Sequence, residues 1–457
     1  MKKKTYIYTL TICVGLFTIN GCANKLNVDP TEDIDEGAAL STSRDVEVTL
    51  IGCYDGLQDV DVYGGAFQVA SELLGNNDEL GFTGTFQNLL ELTNKQITTI
   101  NATAQDTWND SYAVINRCNN VLSAIDIVDE AKRERIEGEA RFIRGSVYFD
   151  LVRLYARTWG DGDNASNPGI PLVMKPTRGV TEEDKLPRSS VAEVYAQVIE
   201  DLTAAKDLLP ETNSFYATKY AAAAQLSRVY LMQSNFAAAR TEANEVIASG
   251  QFSLNTNFSA IFNTFLNNGG ANPNEYIFSI MVTQQDGIND MNTFFGTAID
   301  EIPGTSGRGD IRVLPKHRTL YETGDKRGDF FITSNVIYTQ KYLDRYTNVL
   351  QFRLAEMYLT RAETNLRLST TIGATPLADL NAIRTRAGLK AATAVTLESI
   401  LKERHLELAF EGHTLHDARR NKQNIGNLPY NSPLLILPIP QRERDVNPKL
   451  VQNEGYN

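Results

Sequence analysis

Apolar residues recur every three or four positions through much of the chain, a spacing that lays them along one face of a helix. Over 132–157 the row is Ile136, Ala140, Ile143, Val147, Leu151 and Leu154, and Gly160 with the Gly/Asp/Asn-rich run to Gly169 ends it. The next helix begins at Ser190, with Glu193 three residues on to close a capping box. It turns Val191, Val194, Val198, Leu202 and Ala205 inward and stops at Pro210. Segment 217–250 carries two rows: Ala221, Ala224, Leu226, Tyr230 and Leu231, then Phe236, Ala239, Ala243, Val246 and Ile247, with Gly250 past the end. Segments 349–368 and 376–388 read as another such pair. Between about 251 and 347 the rhythm lapses, leaving Asn, Gly, Thr, Phe and Tyr and a short strand-like run at Tyr276–Ile280. Segment 75–104 has the same character. Irregular stretches of this length are uncommon inside a compact domain and usually functional, so ligand contact is expected in these two regions.

Small Ala on facing positions, an aromatic stop and a second Ala-rich helix make 217–250 resemble a tetratricopeptide pair, whose repeat is about 34 residues. The predicted fold class is mainly α: tetratricopeptide-like helix pairs in an α-α superhelix, with long irregular loops forming the ligand side. Four stretches follow. Residues 1–21 are a lipoprotein signal peptide, and 22–44 a lipidated Cys with a flexible tether. Residues 45–250 are an N-terminal helical region, and 251–457 a C-terminal region with irregular loops (251–347) and closing helices.

The first of these rests on charge and apolarity. Lys2, Lys3 and Lys4 precede an uncharged apolar run from Thr5 to Ile19, too short to span a bilayer, which takes about 20 apolar residues. It ends Ile19-Asn20-Gly21-Cys22, a small residue before a Cys, where a bacterial lipoprotein precursor is cut and its Cys acylated; Asn20 departs from the usual pattern. Buried acyl methylenes contribute about 0.8 kcal/mol each, so a multiply acylated Cys22, palmitate among its chains, holds a protein on a membrane without a spanning helix. Losing three lysines takes the formal net charge from −12 to about −15, which argues against a nucleic-acid partner. Cys53 and Cys118 are left either to pair after export or to stay as buried thiols.

Signals for chemistry are sparse. His413, His416 and Asp417, with His405 two turns earlier, read as histidines packed at a helix end, because no converging ligands are visible from other elements. Asn76-Asn77-Asp78-Glu79 and Asp161-Gly162-Asp163-Asn164 are oxygen-rich, and an irregular structural calcium is conceivable in either; the second lacks the Gly and Glu of an EF-hand loop. Gly304–Asp310 is a flexible loop without the Lys-Ser/Thr of a phosphate loop. Neither a Gly-x-Ser-x-Gly elbow nor a His-Glu-x-x-His motif is present. No catalytic residue, resident cofactor or metal site is assigned.

Several segments together resemble the SusD/RagB family of outer-membrane nutrient-binding lipoproteins. They include Trp108-Asn109-Asp110-Ser111-Tyr112, Glu137–Arg144, Tyr148–Tyr155, Gly169–Val173 and Pro187-Arg188-Ser189-Ser190. Later come Phe352–Leu359 with Arg361-Ala362-Glu363, Arg386-Ala387-Gly388-Leu389, Glu407–Gly412, Arg419-Arg420, Leu437–Pro440 and Gly455-Tyr456. Most read as architecture: Arg141, Arg144, Arg153, Arg404, Arg419 and Arg420, with Glu139, Glu363, Glu403 and Glu407, suit partly buried ion pairs, and Trp108 with Tyr112 pins two helices.

The resemblance implies four tetratricopeptide-like pairs and a non-catalytic protein on the cell surface of a Gram-negative outer membrane. It also implies a SusC-like TonB-dependent transporter as partner, over which the protein sits as a hinged lid that delivers an oligosaccharide or peptide. A helical-repeat adaptor that assembles surface proteins without binding a nutrient is the alternative. The glycan-binding members stack sugars on aromatic rings. Here Trp108 and Trp159 both lie in or beside scaffold motifs, so a platform must come from Phe82, Phe86, Tyr276, Phe294, Phe295, Tyr321 or Tyr338, with Phe294-Phe295 an exposed pair. Asn77, Asp78, Glu79, Arg308 and Asp310 are the polar candidates.

Overall fold

The computed structural model describes residues 40–456 apart from Val180, Asp286, Ile288, Asp300, Glu301 and Ser334. The signal-like segment, Cys22 and the tether as far as residue 39 lie outside the described residues. The described chain opens with α1 (Ser43–Gln58), which Thr42 and Asp45 start with a capping box. α2 (Ala66–Gly75), β1 (Leu80–Phe82) and α3 (Gln87–Asn94) lead to the long helices α4 (Ala102–Ser123) and α5 (Glu130–Tyr155). α6 (Val191–Leu208), α7 (Lys219–Met232) and α8 (Phe236–Ala248) continue the run. Then come α9 (Thr264–Asn268), β2 (Tyr276–Ile280), α10 (Asp290–Phe295), β3 (Ile311–Val313), α11 (Pro315–Arg318), β4 (Phe331–Thr333), β5 (Ile337–Thr339) and β6 (Val349–Arg353). The chain closes with α12 (Leu354–Arg367), α13 (Pro376–Arg386), α14 (Leu397–Glu407), α15 (Thr414–Arg420) and α16 (Gln441–Val446).

Among the described residues eight helices pack in succession, α1 on α4, then α5, α6, α7, α8, α12 and α13, which makes four pairs. The predicted inward row of α5 is fully buried, from Ile136 to Leu154. From Phe142 onward every residue of α5 is buried, because both α4 and α6 pack against it. Gly138 and Gly145 allow the approach of α6: a Cβ on either would come within 3.0–3.1 Å of Leu209 or of Asp201 and Leu202. The predicted capping box starts α6, with Ser190 Oγ accepting from Glu193 N–H at 3.2 Å and Glu193 Oε2 from Ser190 N–H at 2.7 Å. Trp108 is buried against Tyr155 and Tyr112. Cys53 and Cys118 are free buried thiols.

The stretches read as irregular hold more structure than their periodicity indicated. α3 forms within 75–104 on two buried leucines, Leu89 and Leu92, too short a row to register as a period. Segment 251–347 supplies most of a four-stranded antiparallel sheet ordered β1-β3-β5-β4, in which Leu80 faces Val313, Phe82 faces Ile311 and Val313 faces Ile337. β2 pairs separately with β6. Three-residue strands show no alternation to read.

Charge fixes these stretches to the helices. Arg353, almost fully buried, sits 2.8 Å from Glu275, 2.5 Å from Glu407 and 2.8 Å from Glu411. Arg327 reaches Asp325 and Glu403 at 2.7 Å and Glu407 at 3.2 Å, and Lys341 reaches Glu411 at 2.5 Å. Arg144 pairs with Asp201 at 2.7 Å, Arg420 with Glu363 at 2.6 Å and Arg404 with Asp417 at 2.8 Å, so the architectural arginines do form buried pairs. Arg419 donates instead to the carbonyls of Arg153 and Ala156.

Candidate functional site

The segment that leaves α2 builds the site. α2 is buried along its whole length, and a Cβ on Gly75 would fall 2.3 Å from the backbone of Leu415. Glu72 on α2 accepts from the Gly412 and His413 amides and from the Thr414 hydroxyl, which caps α15. Past Gly75, Asn76 Oδ1 accepts from the amides of Glu79 and Leu80 at 2.9 Å, turning the chain into β1 with Asp78 exposed in the left-handed region at φ 58°. The half-buried Lys95 ammonium, its pKa pushed down to about 8 by burial, donates to the Leu73 and Asn76 carbonyls behind this turn.

β1 then carries the chain to an aromatic patch. Thr83 N–H donates to the Asp310 carbonyl at 2.8 Å, and a Cβ on Gly84 would stand 2.6 Å from the Asp310 carboxyl, which a larger residue there would have to displace. Arg308 Nε lies 2.7 Å from Asp310 Oδ2, and its guanidinium sits 4.9 Å from the centre of the Phe86 ring. Phe86 is 40% exposed and meets Phe294 edge-on at 5.6 Å. Phe82 and Tyr338 complete the patch, half-buried, Phe82 beside Gly84 and the Tyr338 ring against Gly309. Cation–π contacts of this kind contribute about 0.5–1 kcal/mol at exposed sites, enough to hold the guanidinium in place.

The structure thus brings Phe82, Phe86, Tyr338, Arg308 and Asp310 together and removes others from the surface. Phe294 and Phe295 are not an exposed pair. Phe295 is fully buried against Tyr342 and Phe410, and Phe294 is 7% exposed, because the short α10 turns both rings inward. Tyr276 is buried with Phe258, Ile261 and Phe262, and Tyr321 packs on His317 and Phe331.

Asn77, on the turn before β1, lines a cavity of about 840 Å³ together with Glu79, Phe236, Lys402, His405 and Lys422. Set in its wall is a group that sequence reasoning missed. Glu79 Oε2 stands 2.6 Å from His317 Nδ1 and 2.7 Å from His405 Nε2, and His317 Nε2 is 3.0 Å from the Tyr321 hydroxyl. Burial raises the Glu79 carboxyl, but hydrogen bonds from the two imidazoles outweigh it and hold it well below its usual range. Burial pushes His317 down against the pull of Glu79, whereas His405 is raised because Glu79 overcomes its burial. No spacing signals this group, since the histidines stand 238 and 326 residues from Glu79 along the chain. The other two histidines are structural: burial drives both well below their usual range, and His416 meets Ser71 at 3.0 Å. The two oxygen-rich loops spend polar atoms on their own turns, as when Asn164 Oδ1 accepts from Gly160 N–H at 3.0 Å.

Comparison with known proteins bears on the whole chain. Residues 29–231 match a SusD-like family model described as starch-binding and associating with the outer membrane, and residues 330–433 match the SusD family model. This chain belongs to the SusD/RagB family. SusD-like protein P38 of Formosa agariphila is 26% identical over 100% of both chains, and SusD-like protein P2 of the same organism is 26% identical over 98% of this chain and 99% of its own. Among solved structures, a candidate sugar-binding protein of Bacteroides vulgatus superposes with a TM-score of 0.80 at 26% identity, covering 92% of this chain and 100% of that one. Surface glycan-binding protein A of Bacteroides uniformis superposes at 0.74 with 25% identity, covering 90% and 99%. The mainly helical, tetratricopeptide-like architecture is that of the SusD superfamily.

Proposed function

We propose that this SusD-like protein is a non-catalytic surface lipoprotein that captures an oligosaccharide and hands it to a SusC-like TonB-dependent transporter. The observation that carries the reading is the half-exposed patch of Phe82, Phe86 and Tyr338 beside the Arg308–Asp310 pair. It belongs to a chain that aligns over nine tenths of its length with a surface glycan-binding protein. Aromatic faces receive the C–H faces of sugar rings, while a guanidinium and a carboxylate in a fixed pair read hydroxyl groups. Contacts of this kind are individually modest, which suits a protein that must release what it binds. Asn77, in the cavity lining, and the exposed Asp78 are further polar candidates on the turn before β1. Lipid on Cys22 and the tether to residue 44 would hold the protein to the outer membrane while it swings as a lid.

The test is calorimetric titration of the full chain against neutral and acidic oligosaccharides and a peptide pool. One oligosaccharide class is expected to bind and to lose at least tenfold in affinity with Phe86→Ala or Arg308→Ala, a loss of about 1.4 kcal/mol. Binding of peptides alone, or oligosaccharide affinity unchanged in both variants, would sink the reading. Copurification of a TonB-dependent barrel with the wild-type protein, lost on Cys22→Ala only from the membrane fraction, tests the partner and the anchor separately.

A further inference from the structure

Glu79, His317 and His405 come from three distant parts of the chain: the turn after α2, the short helix α11 and the long helix α14. One carboxylate oxygen and two imidazole nitrogens all lie within 4.8 Å of one another. We propose that these three side chains form a binding site for a divalent transition-metal ion of the zinc class, with a fourth coordination position open toward the cavity.

The donor set decides the chemistry. Two imidazoles and one carboxylate suit Zn²⁺, Co²⁺ or Ni²⁺, whereas Ca²⁺ and Mg²⁺ take oxygen donors. Zinc holds such ligands at roughly 2.0–2.2 Å in a tetrahedron, which puts donor atoms roughly 3.3 Å apart. The donors now stand at 2.6 and 2.7 Å as hydrogen-bonded neighbours, so an ion enters by replacing the shared protons while the groups part by a fraction of an ångström. His405 can make that movement: its side chain is 31% exposed, against 15% for Glu79 and 1% for His317.

His317 is already aimed. Its Nε2 faces the Tyr321 hydroxyl, which is itself 3.5 Å from the Leu406 carbonyl. With Nδ1 on the metal, the ring proton sits on Nε2 and donates to the Tyr321 oxygen, and the tyrosine proton turns to Leu406. Partners of this kind fix the tautomer and orientation of a metal-bound histidine. On the remaining side the cavity wall carries His405 and Glu79 into its lining, which leaves room for a water or a ligand oxygen as fourth donor.

The experiment uses the full chain without a histidine tag, stripped of metal and titrated with Zn²⁺ against a chromogenic chelator, with Ca²⁺ as the control. One Zn²⁺ per chain is expected, undisturbed by excess Ca²⁺. Tyr321→Phe should weaken it about 10–100-fold, and Glu79→Gln and His405→Gln should weaken it further. Both glutamines keep a hydrogen-bonding side chain in place, so the variants retain the fold. Co²⁺ substitution gives a second reading independent of any variant: a tetrahedral visible spectrum without thiolate charge transfer supports the site. Zn²⁺ affinity unchanged in Glu79→Gln and His405→Gln, or an octahedral Co²⁺ spectrum, overturns the proposal and leaves the triad as a hydrogen-bonded brace.

Discussion

From Glu130 to Ala248 the chain buries rows of Ile, Val, Leu and Ala, and α5 to α8 stay together through apolar contact and close approach at Gly138 and Gly145. That stretch carries few buried charge pairs, such as Arg144–Asp201, whereas from Gln251 to Arg353 they gather in a network: Arg327, Lys341 and Arg353 reach across to Glu403 and Glu407 on α14 and Glu411 just beyond it. Apolar contact is non-directional and tolerates small shifts in a helix, whereas a buried guanidinium stays compensated only with its carboxylates in one arrangement. A segment of short strands and loops lacks a broad face to bury, so directional pairs are what can hold it in place. That division puts the long loops, and the aromatic patch and triad they complete, on a frame they do not themselves have to build.

The comparison breaks most severely at Arg353. Arg353→Ala removes the cation shared by Glu275, Glu407 and Glu411 and leaves them only Arg386, Arg327 and Lys341, and breaking such buried pairs costs about 3–5 kcal/mol. Denaturant unfolding is expected to show a loss of this size, with earlier proteolytic cutting between 251 and 347 than elsewhere. Leu202→Ala, in the apolar part, should cost about 3 kcal/mol and leave the cutting pattern unchanged, since Leu202 is fully buried between helices. Equal patterns in the two variants would show that both regions unfold as one unit and that the distinction has no energetic content.

The same contrast explains what could be read from the sequence. Helical rows were legible because burial on one face imposes a period; Ile136 to Leu154 and the Ser190–Glu193 box are where spacing and capping chemistry place them. The residues that the structure gathers in the patch, Phe82, Phe86, Tyr338, Arg308 and Asp310, were legible as aromatic and charged residues in aperiodic sequence. Phe294 and Phe295 misled because α10, six residues long, buries Met291, Asn292, Phe294 and Phe295 together and is too short to show a period. The Glu79–His317–His405 group could not be read as a group, since its members meet only after three separate segments fold. Glu79 was legible as a polar candidate and His405 as a residue near a helix end, but nothing in the sequence joined them to each other or to His317.

Titration sharpens the comparison where the 251–353 stretch meets the link between α1 and α2. Burial, with Asp61 and Asp59 nearby, pushes the Asp290 carboxyl up to about 7, and Asp290 N–H donates to the Gly64 carbonyl where α10 meets the link before α2. A carboxyl raised on folding contributes stability below the unfolded value near 4, and this is lost as pH rises through 7. Asp290→Asn should therefore stabilise the protein above pH 7, on the order of 2 kcal/mol, and have little effect at pH 4. Glu407 runs the other way: burial raises it, but Arg386, Arg353 and Arg327 outweigh burial and hold it far below its usual range. Its contribution is present above the unfolded value and lost as pH falls toward acid. An Asp290→Asn gain that did not depend on pH would refute the assignment.

The smallest effect on stability is expected at the patch itself. Phe86 is 40% exposed, and Phe86→Ala removes one edge contact with Phe294 and the seat of the Arg308 guanidinium. Exposed substitutions of this kind stay within about 0.5 kcal/mol in unfolding free energy. If the patch is a binding surface, the variant should therefore unfold with the wild type yet lose at least tenfold in affinity for its oligosaccharide. A loss of 2 kcal/mol or more in stability would instead make Phe86 part of the charge-and-ring frame that fixes the 304–310 loop. The surface would then belong to the structure that positions a site rather than to the site.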